Sequence, residues 1–146
     1  MILNLDLDSE VPIYQQLRDQ IVTGIARGEL AAGSPLPSTR QLGVDLGINF
    51  HTVNKSYDLL KREGLLRVNR KSGAVVQRDA ASGPPDGGFL PGWRQRLEIL
   101  LAEAAAHGVP PDEVLEHCSA LLASFDASRP APAAPSPADA REDTDT

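Results

Sequence analysis

Leu36–Tyr57 reads LPSTRQLGVDLGINFHTVNKSY, a stretch with the grammar of two short helices joined by a tight turn. Ser38 is placed to cap the first helix, with Gln41 three residues on to close a capping box. Leu42 and Leu46, four apart, give that helix one apolar face. Gly47 stops it, as glycine does just past a helix end. Asn49 is a good N-cap for the second helix, whose buried face is carried by Val53, Tyr57 and Leu60. The opposite side of its first turns shows His51, Thr52, Asn54 and Lys55. A polar, donor-rich N-terminal half on the second helix is what a major groove accepts, so the pattern is that of a helix-turn-helix.

The flanks extend this unit. Pro12–Arg27 is predicted to be a helix, with Ile13, Leu17, Ile21 and Ile25 as its core stripe and Gly28 at its end. Glu29–Pro35 reads as a loop, turned at Gly33. The two motif helices are expected at roughly Thr39–Leu46 and Phe50–Glu63. Leu65–Asn69 and Ala74–Arg78 are β-like runs around Arg70-Lys71-Ser72-Gly73, a hairpin that would form a wing. Leu3–Leu7 alternates apolar and polar residues and suggests a short edge strand.

These residues together resemble the DNA-binding domain of the GntR family of bacterial transcription regulators. The resemblance covers about Val11–Val76. It is carried by Leu36-Pro37-Ser38-Thr39-Arg40, Leu42, Leu46-Gly47, Asn49, Thr52-Val53, Tyr57, Leu60 and Glu63-Gly64-Leu65-Leu66. Pro12-Ile13-Tyr14-Gln15-Gln16-Leu17 and the run Asn49–Tyr57 resemble its YtrA subfamily in particular. The resemblance implies a winged helix-turn-helix that binds double-stranded operator DNA. It also implies that Arg40 stands at a position contacting DNA near the reading helix, and that Lys55 matches the subfamily's lysine, a candidate phosphate ligand. Two departures stand out. Phe50 occupies a position where relatives often have Pro or Arg, so whatever a basic residue would read there is lost. In the wing, Lys71 replaces the first glycine of a Gly-x-Gly turn and Ala74-Val75 replace a Thr-Phe pair, although Arg70 and Lys71 add charge.

The net charge of −6 by itself argues against nucleic acid, but its distribution reverses that reading. Residues 35–78 hold eight Lys/Arg against three acids, whereas residues 79–146 hold four against twelve. A basic segment inside an acidic chain is a local electrostatic footprint, though exposed Lys and Arg are more usually only solvated. Ser38 is a cap before it is a contact, Tyr57 is core rather than contact, and Thr52 either solvates its helix or touches DNA. The expected DNA-facing set is Ser38, Thr39, Arg40, Asn49, Phe50, His51, Thr52, Asn54 and Lys55, with Arg70, Lys71, Ser72 and Gly73 from the wing.

Asp79–Pro91, rich in Gly, Pro, Ser and Asp, reads as a linker. Beyond it Trp93, Leu97, Leu100 and Ala104 recur at 4-3-4 spacing, and Val114, Cys118, Leu121 and Phe125 repeat it, with a break at Gly108-Val109-Pro110-Pro111. Such a seam on two helices is too narrow to form a core alone and wants a second copy or the winged domain. In the YtrA subfamily the short helical C-terminal part serves dimerisation. The tail from Ala127, Pro/Ala-rich and then acidic, lacks the apolar content to fold. The expected organisation is therefore a mainly α chain with a small β-wing: a winged helix-turn-helix at 1–78, a linker at 79–91, a helical dimerisation hairpin at 92–126 and a disordered tail at 127–146.

Other chemistries find little support. Aromatics are 4 % of the chain, so the core must be aliphatic. No apolar run approaches a bilayer span and the acidic N-terminus is no secretory signal, which fits a cytoplasmic protein without a membrane partner. The single cysteine, Cys118, excludes an internal disulfide and a cysteine-rich zinc site. His51, His107 and His117 lack the spacing of a helical metal site, and the company of His117 with Cys118 and Glu113 is a weak one. There is no glycine-rich phosphate loop, no Ser-His-Asp order and no activating base beside a serine. No enzyme, cofactor or metal is expected. The roughly fifty residues after the wing cannot wrap a small molecule in a pocket of ~300 Å³ or more. The rival of another class is a winged-helix protein-interaction module that binds no DNA.

Overall fold

The computed structural model describes residues 2–69 and 73–129. Arg70, Lys71 and Ser72 of the expected wing turn, and residues 130–146 of the expected tail, lie outside the described residues; Ala127 and Ser128, expected to open the disordered tail, are helical instead. Eight elements follow in order: α1 (Ile13–Ala26), β1 (Pro35–Leu36), α2 (Thr39–Leu46), α3 (Phe50–Arg62), β2 (Leu66–Asn69), β3 (Gly73–Val76), α4 (Phe89–Ala106) and α5 (Pro111–Ser128).

Helices α1 and α2 both pack against α3. Val53, Ser56, Tyr57 and Leu60 of α3 are wholly buried against Leu17 and Ile21 of α1 and Leu42 of α2. At roughly 1.5–3 kcal/mol for each large apolar side chain removed from water, this cluster is the main stabilising term of the domain. Ser56 is a polar residue inside it, and its hydroxyl is satisfied by donating to the Tyr14 carbonyl at 2.7 Å. Arg18 ties the far end of α3 to α1: its Nη2 reaches Glu63 Oε2 at 2.6 Å and its Nη1 reaches Asp19 at 3.0 Å. Partial burial disfavours the charged guanidinium, but these hydrogen bonds outweigh it and the pKa ends above the ordinary arginine value.

The sheet is antiparallel with order β1-β3-β2, and Leu36 pairs with Ala74 while Leu66 pairs with Val76. The expected loop at 29–35 ends in β1 instead, a strand that the sequence does not announce. Two residues carry no periodicity, and Pro35 is tolerated because an edge strand can spare its N–H. Leu66, Ala74 and Val76 turn inward and close the core from the side opposite the helices.

Three expectations need correction. Leu3–Leu7 is not a strand. Glutamine side chains of α1 take the place of a neighbouring strand: Gln20 Oε1 accepts from the Asn4 N–H at 2.8 Å and Gln16 Oε1 from the Asp6 N–H at 2.8 Å, while Leu3 and Leu5 pack on the core. The capping box of α2 is half formed, because the Gln41 amide reaches forward to Asp45 Oδ1 at 2.7 Å. Helix α4 starts at Phe89, inside the expected linker. Pro91 falls in its first turn, where a missing N–H costs no helical bond.

Helices α4 and α5 are joined through a turn at Gly108, and neither holds a fully buried residue. Leu97, Ala104, Val114, Cys118 and Phe125 are half-buried. Trp93 (41 %), Leu100 (60 %), Leu121 (42 %) and Leu122 (65 %) stay exposed. The α5 end meets α1, where the Arg129 Nε donates to the Ala26 carbonyl at 3.3 Å. No described helix is long and apolar enough to cross a membrane.

Tyr57 offers a test of this packing. Its hydroxyl donates to the Pro37 carbonyl at 2.8 Å, and burial pushes its pKa up to about 12. The neutral phenol is therefore favoured in the folded state. Its contribution is complete below the unfolded value of about 10 and is lost as pH rises from there through the folded value. Tyr57→Phe should cost about 1 kcal/mol in urea unfolding at pH 7. It should also flatten the fall in stability that the wild type shows above about pH 10.

Candidate nucleic-acid interface

With one side of α3 locked in the core, the 100° step of a helix forces the other side outward. His51, Asn54 and Lys55 are exposed, and Thr52 is half-buried on the flank. Asn49 precedes them with an extended backbone, and its Oδ1 accepts from the His51 N–H at 2.9 Å. The Asn49 side chain is thus engaged as a cap in this structure. Ser38 does the same for α2, accepting from the Gln41 N–H at 3.2 Å, with Thr39 half-buried beside it. The two helices meet through a turn in which Gly47 adopts φ +67° and its N–H closes back on Val44.

Close approach of α2 and α3 depends on a glycine that helical periodicity does not reveal. A Cβ on Gly43 would lie 3.0 Å from the Ile48 carbonyl oxygen and 3.2 Å from Phe50 Cα. Here backbone meets backbone, and the first turn of α3 is set directly against α2. Above this contact the Arg40 guanidinium lies 4.4 Å from the centroid of the Phe50 ring, and Phe50 in turn sits 4.1 Å from the His51 ring at 35°. These three residues, each expected at the interface on its own, touch one another in the structure. Lys55 has a different neighbour: its Nζ is 4.0 Å from the centroid of the Tyr14 ring on α1. Tyr14 was not among the expected site residues. Its distance in sequence from Lys55 leaves no local signal.

On the wing, Gly73 opens β3 with φ +79° and pairs with Asn69 of β2. Both strands of the hairpin are therefore formed up to the turn. Asp79, just beyond, accepts from the Ala32 N–H at 2.8 Å and from the Ala81 N–H at 2.8 Å, and these donors hold its carboxyl below the usual range. This fastens the exit of the wing to the loop before β1. The expected seam residues do not share one environment: Leu97, Ala104, Val114, Cys118 and Phe125 are half-buried, with the Phe125 ring 6.0 Å from the Arg27 guanidinium at the end of α1, while Trp93, Leu100 and Leu121 are exposed.

Three helices, a small sheet on one side and an outward second motif helix define a winged helix-turn-helix, a class of nucleic-acid readers. Residues 13–76 match the family described as "Bacterial regulatory proteins, gntR family". Over 114 residues the chain is 29 % identical to the HTH-type transcriptional repressor YtrA of Bacillus subtilis, covering 78 % of this chain and 87 % of that one. It is 40 % identical over 84 residues to the probable rhizopine catabolism regulatory protein MocR of Rhizobium meliloti, covering 58 % of this chain but only 16 % of that protein. Among solved structures, YtrA from Sulfolobus acidocaldarius, a GntR-family transcription factor, is 39 % identical with a TM-score of 0.58, covering 73 % of this chain and 99 % of that one. The chain belongs to the GntR family of bacterial transcription regulators, and within it to the YtrA group. It is a DNA-binding regulator, and the alternative of a winged helix that binds only protein is not supported.

Gly43→Val should force α2 and α3 apart and destabilise the domain by about 1–3 kcal/mol, in the range of overpacked cores. Thermal unfolding should show it as a drop of several degrees in Tm.

Proposed function

We propose that this chain represses transcription in the cytoplasm by binding a two-fold symmetric operator as a homodimer, without a catalytic step. The observation that carries the reading is the fixed outward face of α3, with exposed His51, Asn54 and Lys55 on a helix whose other side is wholly buried. In this reading residues 1–78 bind DNA and 79–91 connect them to the hairpin at 92–126. Arg40, Asn49, Phe50, His51, Thr52 and Asn54 face the major groove. Ser38, Thr39 and Lys55 take the flanking backbone, and Arg70, Lys71, Ser72 and Gly73 of the wing take the next groove. The basic balance of residues 35–78 supports it.

The apolar flanks of α4 and α5 support the dimer. Trp93, Leu100, Leu121 and Leu122 remain in solvent in the single chain. A second copy would turn this two-helix layer into a four-helix core, with Leu97, Val114, Cys118 and Phe125 at its centre. Two reading helices related by a two-fold axis then require an inverted repeat, with half-sites about one turn of duplex (~34 Å) or a small multiple of it apart. Leu121→Asp would place a charge in that core. Light scattering at micromolar concentration should report a dimer for the wild type and a monomer for this variant, and a monomeric wild type would contradict the proposal.

Mobility shift with DNA upstream of the protein's own coding region tests binding, and two substitutions separate holding from reading. Lys55→Ala should weaken binding to all sequences alike and reduce the salt slope by roughly one unit per lost phosphate contact. His51→Ala should change the preferred base at one or two positions, by ~1–3 kcal/mol per contact. An unaltered base preference would remove His51 from the reading set.

A further inference from the structure

We propose that Phe50 is a positioning residue for sequence reading: its ring holds the Arg40 guanidinium flat so that the N–H fork is presented to a guanine edge in the major groove. The proposal rests on the DNA-binding reading above and assigns a specific task to a residue that, by resemblance, merely replaces a basic or proline side chain.

The geometry points to this task in three ways. First, the cation lies over the face of the ring, at 4.4 Å from its centroid. The ring quadrupole attracts a cation there, and a guanidinium resting on a ring face keeps its N–H groups directed around its own edge. Second, Arg40 is exposed and makes no ion pair or hydrogen bond among the described residues, so those donors are open to a ligand. Third, the platform is itself held in place. Phe50 is half-buried as the first residue of α3, its backbone rests against Gly43 of α2, and His51 packs on its ring at 4.1 Å. Arg40 stands one helical turn before Gly43. The long arginine of α2 is thereby pinned to the entrance of α3, the part of a reading helix that meets base edges. A fork held in one plane suits the paired O6 and N7 acceptors of guanine, the commonest specific partner of arginine. A mobile arginine at the same place would serve a phosphate equally well.

The test uses the full-length protein and the sequence it selects from a random DNA pool, followed by binding to every single-base variant of that sequence. Arg40→Lys should lower discrimination at one guanine of each half-site by about 5–100-fold, the range of a lost bidentate contact. Phe50→Leu keeps an apolar side chain of similar bulk but removes the π-face. It should lower discrimination at that same guanine by about two- to five-fold, the range of an exposed cation–π contact, and leave the salt slope unchanged. Phe50→Tyr should restore wild-type discrimination. The same discrimination in Phe50→Leu as in the wild type would overturn the proposal. So would a loss of affinity that is equal for all sequences, or an altered preference at a position Arg40→Lys does not touch. A Phe50→Leu protein with lowered Tm is judged on Phe50→Tyr, where impaired discrimination in a normally folded protein would also overturn it. A wild type that selects no sequence would instead remove the DNA-binding reading, and this proposal with it.

Discussion

Burial of one face of α3 is the constraint on which the rest of the molecule depends. Val53, Ser56, Tyr57 and Leu60 together fix the rotation of the helix about its axis, because turning it would bring a methyl, a phenol or a satisfied hydroxyl into water. The exposed residues inherit their direction from that choice. His51, Asn54 and Lys55 need no partner to hold them outward; the core does so. Tyr57 adds a second restraint by reaching the Pro37 carbonyl, so the buried face of α3 also fixes where α2 begins. Reading head and scaffold are therefore one object, and a change in the core should be felt as a change in recognition.

Much of this was legible in the sequence because the signals are local. Leu42 and Leu46, the caps Ser38 and Asn49, and Gly47 with its positive φ each act within a few residues of their effect. What escaped the sequence depends on partners distant along the chain. Ser56 reads as a surface residue until the Tyr14 carbonyl supplies its acceptor. Leu3–Leu7 alternates like a strand, but glutamine amides from α1 satisfy its backbone. Gly43 shows its purpose only when Ile48 and Phe50 come back against it. The stack of Arg40 on Phe50 joins two helices whose relation no periodicity encodes.

The C-terminal hairpin follows a different logic. Its helices satisfy their own backbone, yet neither buries a single residue completely. The apolar seam was visible as 4-3-4 spacing, but spacing could not say how much of it the two helices would use on each other. Leu97 and Cys118 are half-buried, while Trp93 and Leu121 stay in solvent. Exposed apolar surface of this kind is costly in water and suits association. In the proposed dimer, the winged domain reads DNA and the hairpin sets how many readers act together.

The measurement that bears most directly on the account is selection of bound sequences from a random DNA pool by the full-length protein, with footprinting on the winner. The account predicts an inverted repeat whose half-sites lie about one helical turn or a small multiple of it apart, protected symmetrically on both strands. No enrichment, or a single asymmetric half-site protected by one protomer, would contradict it.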